Sequence, residues 1–132
     1  MEIKFLESDK KNKKAVFLLK KSNPAFANTL RKYILEKVPT MAIEDVEIRK
    51  NSSILYDEVI SHRLGLLPLT TDLKSYNLPD NCKCEGKGCS RCQVKLILRT
   101  SKGSGIVYAS EIKSKDSAIK PVFPKMPIVK LL

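Results

Sequence analysis

The chain of 132 residues reads as an α+β protein. Three patterns carry that reading. The first residues alternate apolar and polar side chains on either side of a lysine-rich turn, as a hairpin does. An Asn-Pro pair then opens a helix with a continuous apolar stripe. Between Val38 and Thr70 a strand-like run, a turn and a short helix follow one another, and mixed short strands complete the chain.

Ile3 and Phe5 begin the alternation, and Ala15-Val16-Phe17-Leu18-Leu19 resumes it after the turn, which predicts two antiparallel strands. Ser22-Asn23-Pro24 marks a helix start. Asn23 can cap the first turn, and Pro24 stands where a missing N–H costs nothing. Phe26, Leu30, Ile34 and Val38 recur every four residues, with Ala27 and Leu35 widening the stripe. Arg31, Lys32, Glu36 and Lys37 line the other side, and Pro39 ends the helix. Such a stripe serves either as the face packed on its own hairpin or as a surface for a second subunit.

Val46 and Ile48 alternate with Glu47 and Arg49, the pattern of a half-buried strand. Asn51-Ser52-Ser53 is a turn cluster able to cap the next helix. Asp57 and Glu58 suit its first turn, Val59, Ile60 and Leu64 form its apolar face, and Gly65 supplies a left-handed stop. Leu66-Leu67-Pro68-Leu69 leaves as a short buried segment, with Pro68 favouring a sheet edge. Val94 to Leu98 reads as a strand whose antiparallel partner, past the Gly103-Ser104-Gly105 turn, is Ile106-Val107-Tyr108. Ser110 to Lys120 reads as a charged loop or frayed helix. Pro121, Pro124 and Pro127 then punctuate an extended tail ending in Ile128 to Leu132.

All four cysteines, Cys82, Cys84, Cys89 and Cys92, fall in one loop, spaced C-x-C-x4-C-x2-C. Gly86 and Gly88 let the backbone fold so that the two pairs face a common point, through positive φ if needed. Four thiolates around one ion make the closed structural zinc arrangement, which leaves no open position for a substrate. An iron–sulfur cluster and a pair of disulfides compete with it. The loop is too compact for a zinc ribbon, whose two knuckles stand roughly 15–20 residues apart.

The net charge is +11, and lysine outnumbers arginine heavily among the 25 basic residues. That ratio weakens a sequence-specific DNA reading, which leans on arginine forks against guanine. The positive surface fits either a lysine-rich solvated protein or membership of a complex that handles a polyanion. No apolar run approaches the roughly 18 residues of a membrane span. The opening MEIKFLESDKK lacks the apolar stretch of a signal peptide, which points to the cytoplasm. His62 is the single histidine, with Arg63 beside it and no nucleophile at a suitable spacing, so the chain offers no catalytic constellation.

VPTMAIEDV (38–46), NSSILYDE (51–58) and SHRLGLLPL (61–69) closely resemble the D-subunit family of archaeal RNA polymerases. Its members are the counterparts of the amino-terminal domain of the bacterial alpha subunit and of the third-largest subunit of eukaryotic polymerase II. The resemblance implies that residues 1–40 are the first part of an alpha-type dimerisation domain. Residues 41–132 would be an inserted mixed-strand domain carrying the cysteine loop at 82–92. It implies a non-catalytic assembly and platform subunit of DNA-directed RNA polymerase. The chain would pair with an L-like subunit and support N- and P-like small subunits and the large subunits, meeting DNA only indirectly. The first helix, with Phe26, Leu30, Arg31, Ile34 and Val38, would be the partner surface. The family has two arginines where this chain has Arg31-Lys32, and lysine makes no bidentate contact, so no fork-like role carries over to position 32.

The resemblance favours zinc for the cysteine loop, since the polymerase II subunit carries a similar short zinc loop. The magnesium-binding aspartates of nucleotide addition would belong to the largest subunit. Glu44-Asp45 and Asp57-Glu58 then read as strand-surface and helix-start charges. The half of the dimerisation domain that returns after the insert is not in this sequence, so the expectation is a fragment, a split gene or a second polypeptide that supplies it. The competing functions are a free-standing zinc-dependent nucleic-acid-binding module and a redox protein. The first wants aromatic side chains interleaved with basic ones, which this chain lacks. The second wants an exchangeable sulfur pair.

Overall fold

The computed structural model describes all of residues 1–132. Its elements are β1 (Glu2–Asp9), β2 (Lys14–Lys20), α1 (Pro24–Glu36), α2 (Asp57–Gly65), β3 (Leu96–Leu98), β4 (Gly105–Tyr108), β5 (Ile112–Ser114) and β6 (Pro127–Leu131). Single 3-10 turns lie at Pro79–Asn81 and Ala109–Glu111. Strand pairing gives three separate two-stranded antiparallel ladders, β1-β2, β3-β5 and β4-β6. The chain divides into two units, Met1–Val38 and Pro39–Leu132. No helix is long and apolar enough to cross a membrane.

In the first unit, Asp9 makes the hairpin turn. Its carboxylate accepts from the Lys11 and Asn12 amides at 2.9 and 3.1 Å and from the Asn12 side chain at 2.7 Å. Those bonds hold its carboxyl below the usual range, the Asn12 amide foremost. The ladder pairs Ile3 with Leu19 and Phe5 with Phe17, and the register shifts between Phe5 and Glu7. Period 2 therefore puts Ile3, Phe5, Phe17 and Leu19 on one face. The Phe5 and Phe17 rings sit 6.1 Å apart and tilted, a favourable arrangement for two quadrupoles. Lys14 opens β2 and Lys20 closes it.

α1 begins as its sequence predicts, with Asn23 Oδ1 accepting from the Phe26 amide at 2.8 Å and Pro24 in the first turn. It stops earlier than the stripe suggests. Glu36 is its last residue and the Lys37 amide donates to Tyr33 O at 2.9 Å. Val38 thus lies outside the helix, because the ring of Pro39 disfavours helical backbone at the residue before it.

The second unit holds the core. Ile60 and Leu64 of α2, Leu67, Leu69, Val107 of β4, Ala109, Ile119, and Ile128, Val129 and Leu131 of β6 form one buried cluster. Val107 and Ile119 are the largest fully buried side chains. Each such burial contributes roughly 1.5–3 kcal/mol. α2 packs against β6, and Arg63 Nη2 donates to Pro127 O at 3.1 Å across that contact. Leu69 bridges to Pro121, and the Thr70 hydroxyl binds the Ala118 carbonyl at 2.5 Å and accepts from the Lys120 amide at 2.9 Å.

Several expectations for this unit are corrected. Val46 to Arg49 forms no strand. Val46 and Ile48 do turn toward the core, but no neighbouring chain completes a ladder. Asn51 does not cap α2, whose first cap is Tyr56 without a side-chain bond. Asn51 instead braces the loop ahead of it, its Nδ2 donating to Leu55 O at 2.8 Å and to Asp57 Oδ1 at 2.7 Å. Gly65 ends α2 without a left-handed residue, and a Cβ there would make only an ordinary contact, 3.5 Å from Ile43 O. Leu66 is 70% exposed rather than buried with Leu67 and Leu69.

The strand pairing also differs. β3 pairs with β5, inside the stretch read as a loop, and β4 pairs with β6. The Gly103-Ser104-Gly105 turn therefore joins two ladders rather than closing a hairpin. β6 offers Ile128, Val129 and Leu131 to the same cluster that takes Val107, and this shared burial selects the partner.

Ile119→Ala should destabilise the chain by about 2–5 kcal/mol, and Ile119→Val by about 0.5–1.5 kcal/mol, because the cavity scales with the atoms removed. Denaturant unfolding of the full chain measures both. Equal, negligible losses would mean that residue 119 is not in the core.

Candidate metal centre and partner surface

The cysteine loop is built from consecutive tight turns. Asn81 N–H donates to Leu78 O, Glu85 N–H to Cys82 O and Lys87 N–H to Cys84 O, at 3.0, 3.1 and 3.0 Å. The amides of Cys92 and Gln93 both donate to Cys89 O, at 3.0 and 2.9 Å. Between the cysteine pairs the backbone passes through positive φ at Glu85 (51°), Gly86 (80°) and Gly88 (79°). Glycine adopts such angles freely, and only Glu85 is there at a steric cost. A further bond, Asn77 N–H to Arg91 O at 2.8 Å, ties the loop to the preceding segment.

These turns bring all four sulfurs within 4.8 Å of one another. Cys82 and Cys89 Sγ are 3.5 Å apart, as are Cys84 and Cys92, and Cys89 and Cys92 are 3.8 Å apart. Four sulfurs about 2.3 Å from one tetrahedral ion stand about 3.8 Å from each other. The group therefore fits a single ion. It contains no disulfide, since bonded sulfurs would lie about 2.05 Å apart and all four cysteines are free. A polynuclear iron–sulfur cluster would spread its thiolates further than this to make room for several irons and sulfides.

The four thiols perturb one another's ionisation. Hydrogen bonds from the Cys82 and Cys92 thiols draw Cys84 down to about 7. The Cys89 amide donates to Cys92 Sγ at 3.2 Å and favours its thiolate, but burial and the thiols of Cys84, Cys89 and Cys82 outweigh it and push Cys92 up to about 12. Cys82 is raised as well: its bond from the Cys84 amide is outweighed by the Cys89 and Cys84 thiols and by burial. Crowded sulfurs cannot all ionise by themselves, and a divalent ion removes that repulsion.

The residues expected at a partner surface are dispersed differently. Leu30, Arg31 and Ile34 line an open apolar groove of about 430 Å³, together with Phe17, Leu19, Ala27 and Leu35. Phe26 is exposed outside that lining, and Val38 lies past the helix end. Arg31, on the polar side by helical period but on the partner surface by family resemblance, stands at the groove. Phe17 and Leu19 are additions that the alternation of β2 could have supplied, since both share a face of the hairpin. No residue in Met1–Val38 is buried; Phe5 is 70% and Ile34 51% exposed.

One unit presents an open apolar groove, and the other a loop whose four sulfurs can enclose an ion. The chain belongs to the RNA polymerase Rpb3/Rpb11 dimerisation domain family, whose pattern matches residues 16–129. It is 44% identical over 135 residues to the DNA-directed RNA polymerase subunit Rpo3 of Methanosphaera stadtmanae, covering 99% of this chain and 49% of that protein. The same subunit of Methanosarcina mazei is 42% identical over 132 residues, covering 99% of this chain and 48% of that protein. That of Pyrococcus furiosus is 42% identical over 131 residues, covering 99% and 47%. The chain thus spans about half the length of these relatives.

Cys89→Ser should abolish tight uptake of one divalent ion by the purified chain and raise amide exchange across residues 80–94. The β4-β6 ladder should keep its protection, because a small satellite site stabilises its own loop first. Unchanged metal content by elemental analysis would remove Cys89 from the ligand set.

Proposed function

We propose that this chain is a non-catalytic assembly subunit of DNA-directed RNA polymerase that pairs with an L-like subunit through the groove of its first unit. One observation carries the proposal. The hairpin and helix present Phe17, Leu19, Leu30 and Ile34 around an open apolar groove, and no residue of Met1–Val38 is buried, in a family defined by dimerisation. A two-stranded hairpin and one helix are marginal by themselves, so a second chain that covers the groove contributes stability as well as specificity. Arg31 at the rim can bind a carboxylate or carbonyl of the partner with its planar fork.

On this reading residues 1–40 are the first part of the dimerisation domain and residues 41–132 the inserted domain. The family match runs through both, so the boundary draws its support from the division of the chain near Val38. The inserted domain offers its outer surface to N- and P-like small subunits and to the large subunits. Nucleotide addition belongs to the large subunits, DNA is met only through them, and the complex works beside the genome in the cytoplasm. The ion held by Cys82, Cys84, Cys89 and Cys92 is zinc: four thiolates at tetrahedral spacing suit a d¹⁰ ion without redox chemistry. Zinc supplies a cross-link between the two halves of the loop, and no open position for a substrate.

Leu30→Glu or Ile34→Glu should abolish co-purification with the L-like subunit, since a carboxylate cannot be desolvated in an apolar seam. Lys32→Glu should leave pairing nearly unchanged, as exposed charges contribute little. Co-expression followed by affinity capture decides it. Normal pairing of Leu30→Glu with loss at Lys32→Glu would make the interface electrostatic and the proposal wrong.

A further inference from the structure

Gly88 stands immediately before Cys89 and Gln93 immediately after Cys92, so the two residues flank the Cys89–Cys92 turn at its base. Gly86 and Gly88 share nearly the same backbone angle, φ 80° and 79°. Their surroundings differ. A Cβ at Gly86 would meet nothing within 4 Å. One at Gly88 would fall on the Gln93 carboxamide, whose Cδ and Nε2 would be 2.8 and 3.0 Å away. The Gln93 side chain therefore lies against the bare backbone of Gly88, although position 93 is exposed to solvent. The main chain of Gln93 closes the same turn, its amide donating to Cys89 O at 2.9 Å.

Accepting the reading that the four cysteines hold a metal ion, we propose that Gln93 and Gly88 form a clasp across the Cys89–Cys92 turn that positions these two sulfurs for the ion. Gln93 is a positioning residue: it is not among the four sulfur ligands, and it acts by holding the ends of the turn together. A chain with the clasp enters binding with part of the ordering already done, and groups around a metal site that orient its ligands are worth roughly 10–100-fold in affinity. Glycine at 88 suits its backbone angle and also leaves the space that Gln93 occupies, so a side chain there would push the movable Gln93 carboxamide aside and open the clasp. At 86 glycine suits the angle alone.

The test is cobalt(II) titration of the 132-residue chain, with affinity read by competition against a chelator and the ligand set read from the sulfur-to-cobalt absorption. All variants should give the four-sulfur spectrum of the unaltered chain, because no ligand is removed. Gln93→Ala should bind cobalt about tenfold more weakly. Gly88→Ala should lose more affinity than Gly86→Ala, and in the Gln93→Ala background that excess should vanish, since the contact is already gone. Gln93→Ala binding as tightly as the unaltered chain, or equal losses at 86 and 88, would overturn the clasp and leave the metal site standing. Failure of the unaltered chain to give a four-sulfur spectrum would overturn the metal site and the clasp together. Position 93 is exposed, so Gln93→Ala leaves the fold intact, and circular dichroism checks each variant.

Discussion

The seam between α2 and the β4-β6 ladder is the contact on which residues 39–132 depend. Ile60 and Leu64 approach it from the helix, Val107 from β4, and Ile128, Val129 and Leu131 from β6. Regular structure is sparse in this unit, with ladders of only three to five residues. Such strands have little stability of their own. They persist because each contributes side chains to one cluster, and because the long connections are fastened to it. Thr70 binds Ala118 and Lys120, Leu69 bridges Pro121, and Tyr76 donates to Asp116 at 2.7 Å. In the last pair, bonds from the Ala118 amide and the Tyr76 hydroxyl hold the Asp116 carboxyl below its ordinary range.

The cysteine loop and the hairpin-helix unit solve the problem of small size in different ways. The loop has few apolar groups to bury, so its order comes from turns, glycines and the sulfurs they converge. An ion at that point would do for residues 82–92 what a core does elsewhere, because binding free energy becomes folding free energy. Met1–Val38 has ample apolar surface but nothing in its own residues that buries it. A carboxylate or lysine can remain in water at no cost, whereas Phe5, Phe17 and Ile34 leave apolar surface exposed, the kind of surface that marks an interaction site. The same accounting assigns the two features different roles: one is closed on itself, the other is open.

Where chemistry is local, sequence and structure agree. Asn23-Pro24 starts α1 because a side-chain acceptor and a missing N–H act within one turn. The β1-β2 hairpin follows from alternation over a short polar turn. The cysteine spacing already implied that the four sulfurs could meet, since Gly86 and Gly88 allow the turns that converge them. The family resemblance in 38–69 is likewise a property of the residues themselves. By contrast Gln93 carries no signal of its own, because a lone glutamine after a cysteine pair is an ordinary polar residue until its side chain is placed.

The amino-acid sequence by itself determined the composition class, the hairpin, the beginning of α1 and the four-thiolate loop. Only the tertiary structure decided that β3 pairs with β5 and β4 with β6, and that Val46 to Arg49 stays unpaired. The reason is the range of the forces involved. Caps, turns and ligand spacing are set within a few residues. A strand's partner is set by which distant segment shares its buried face, and alternation marks a strand's two faces without saying who will lie beside it. Ile128, Val129 and Leu131 won that place beside Val107 by filling a core that no stretch of the chain describes alone.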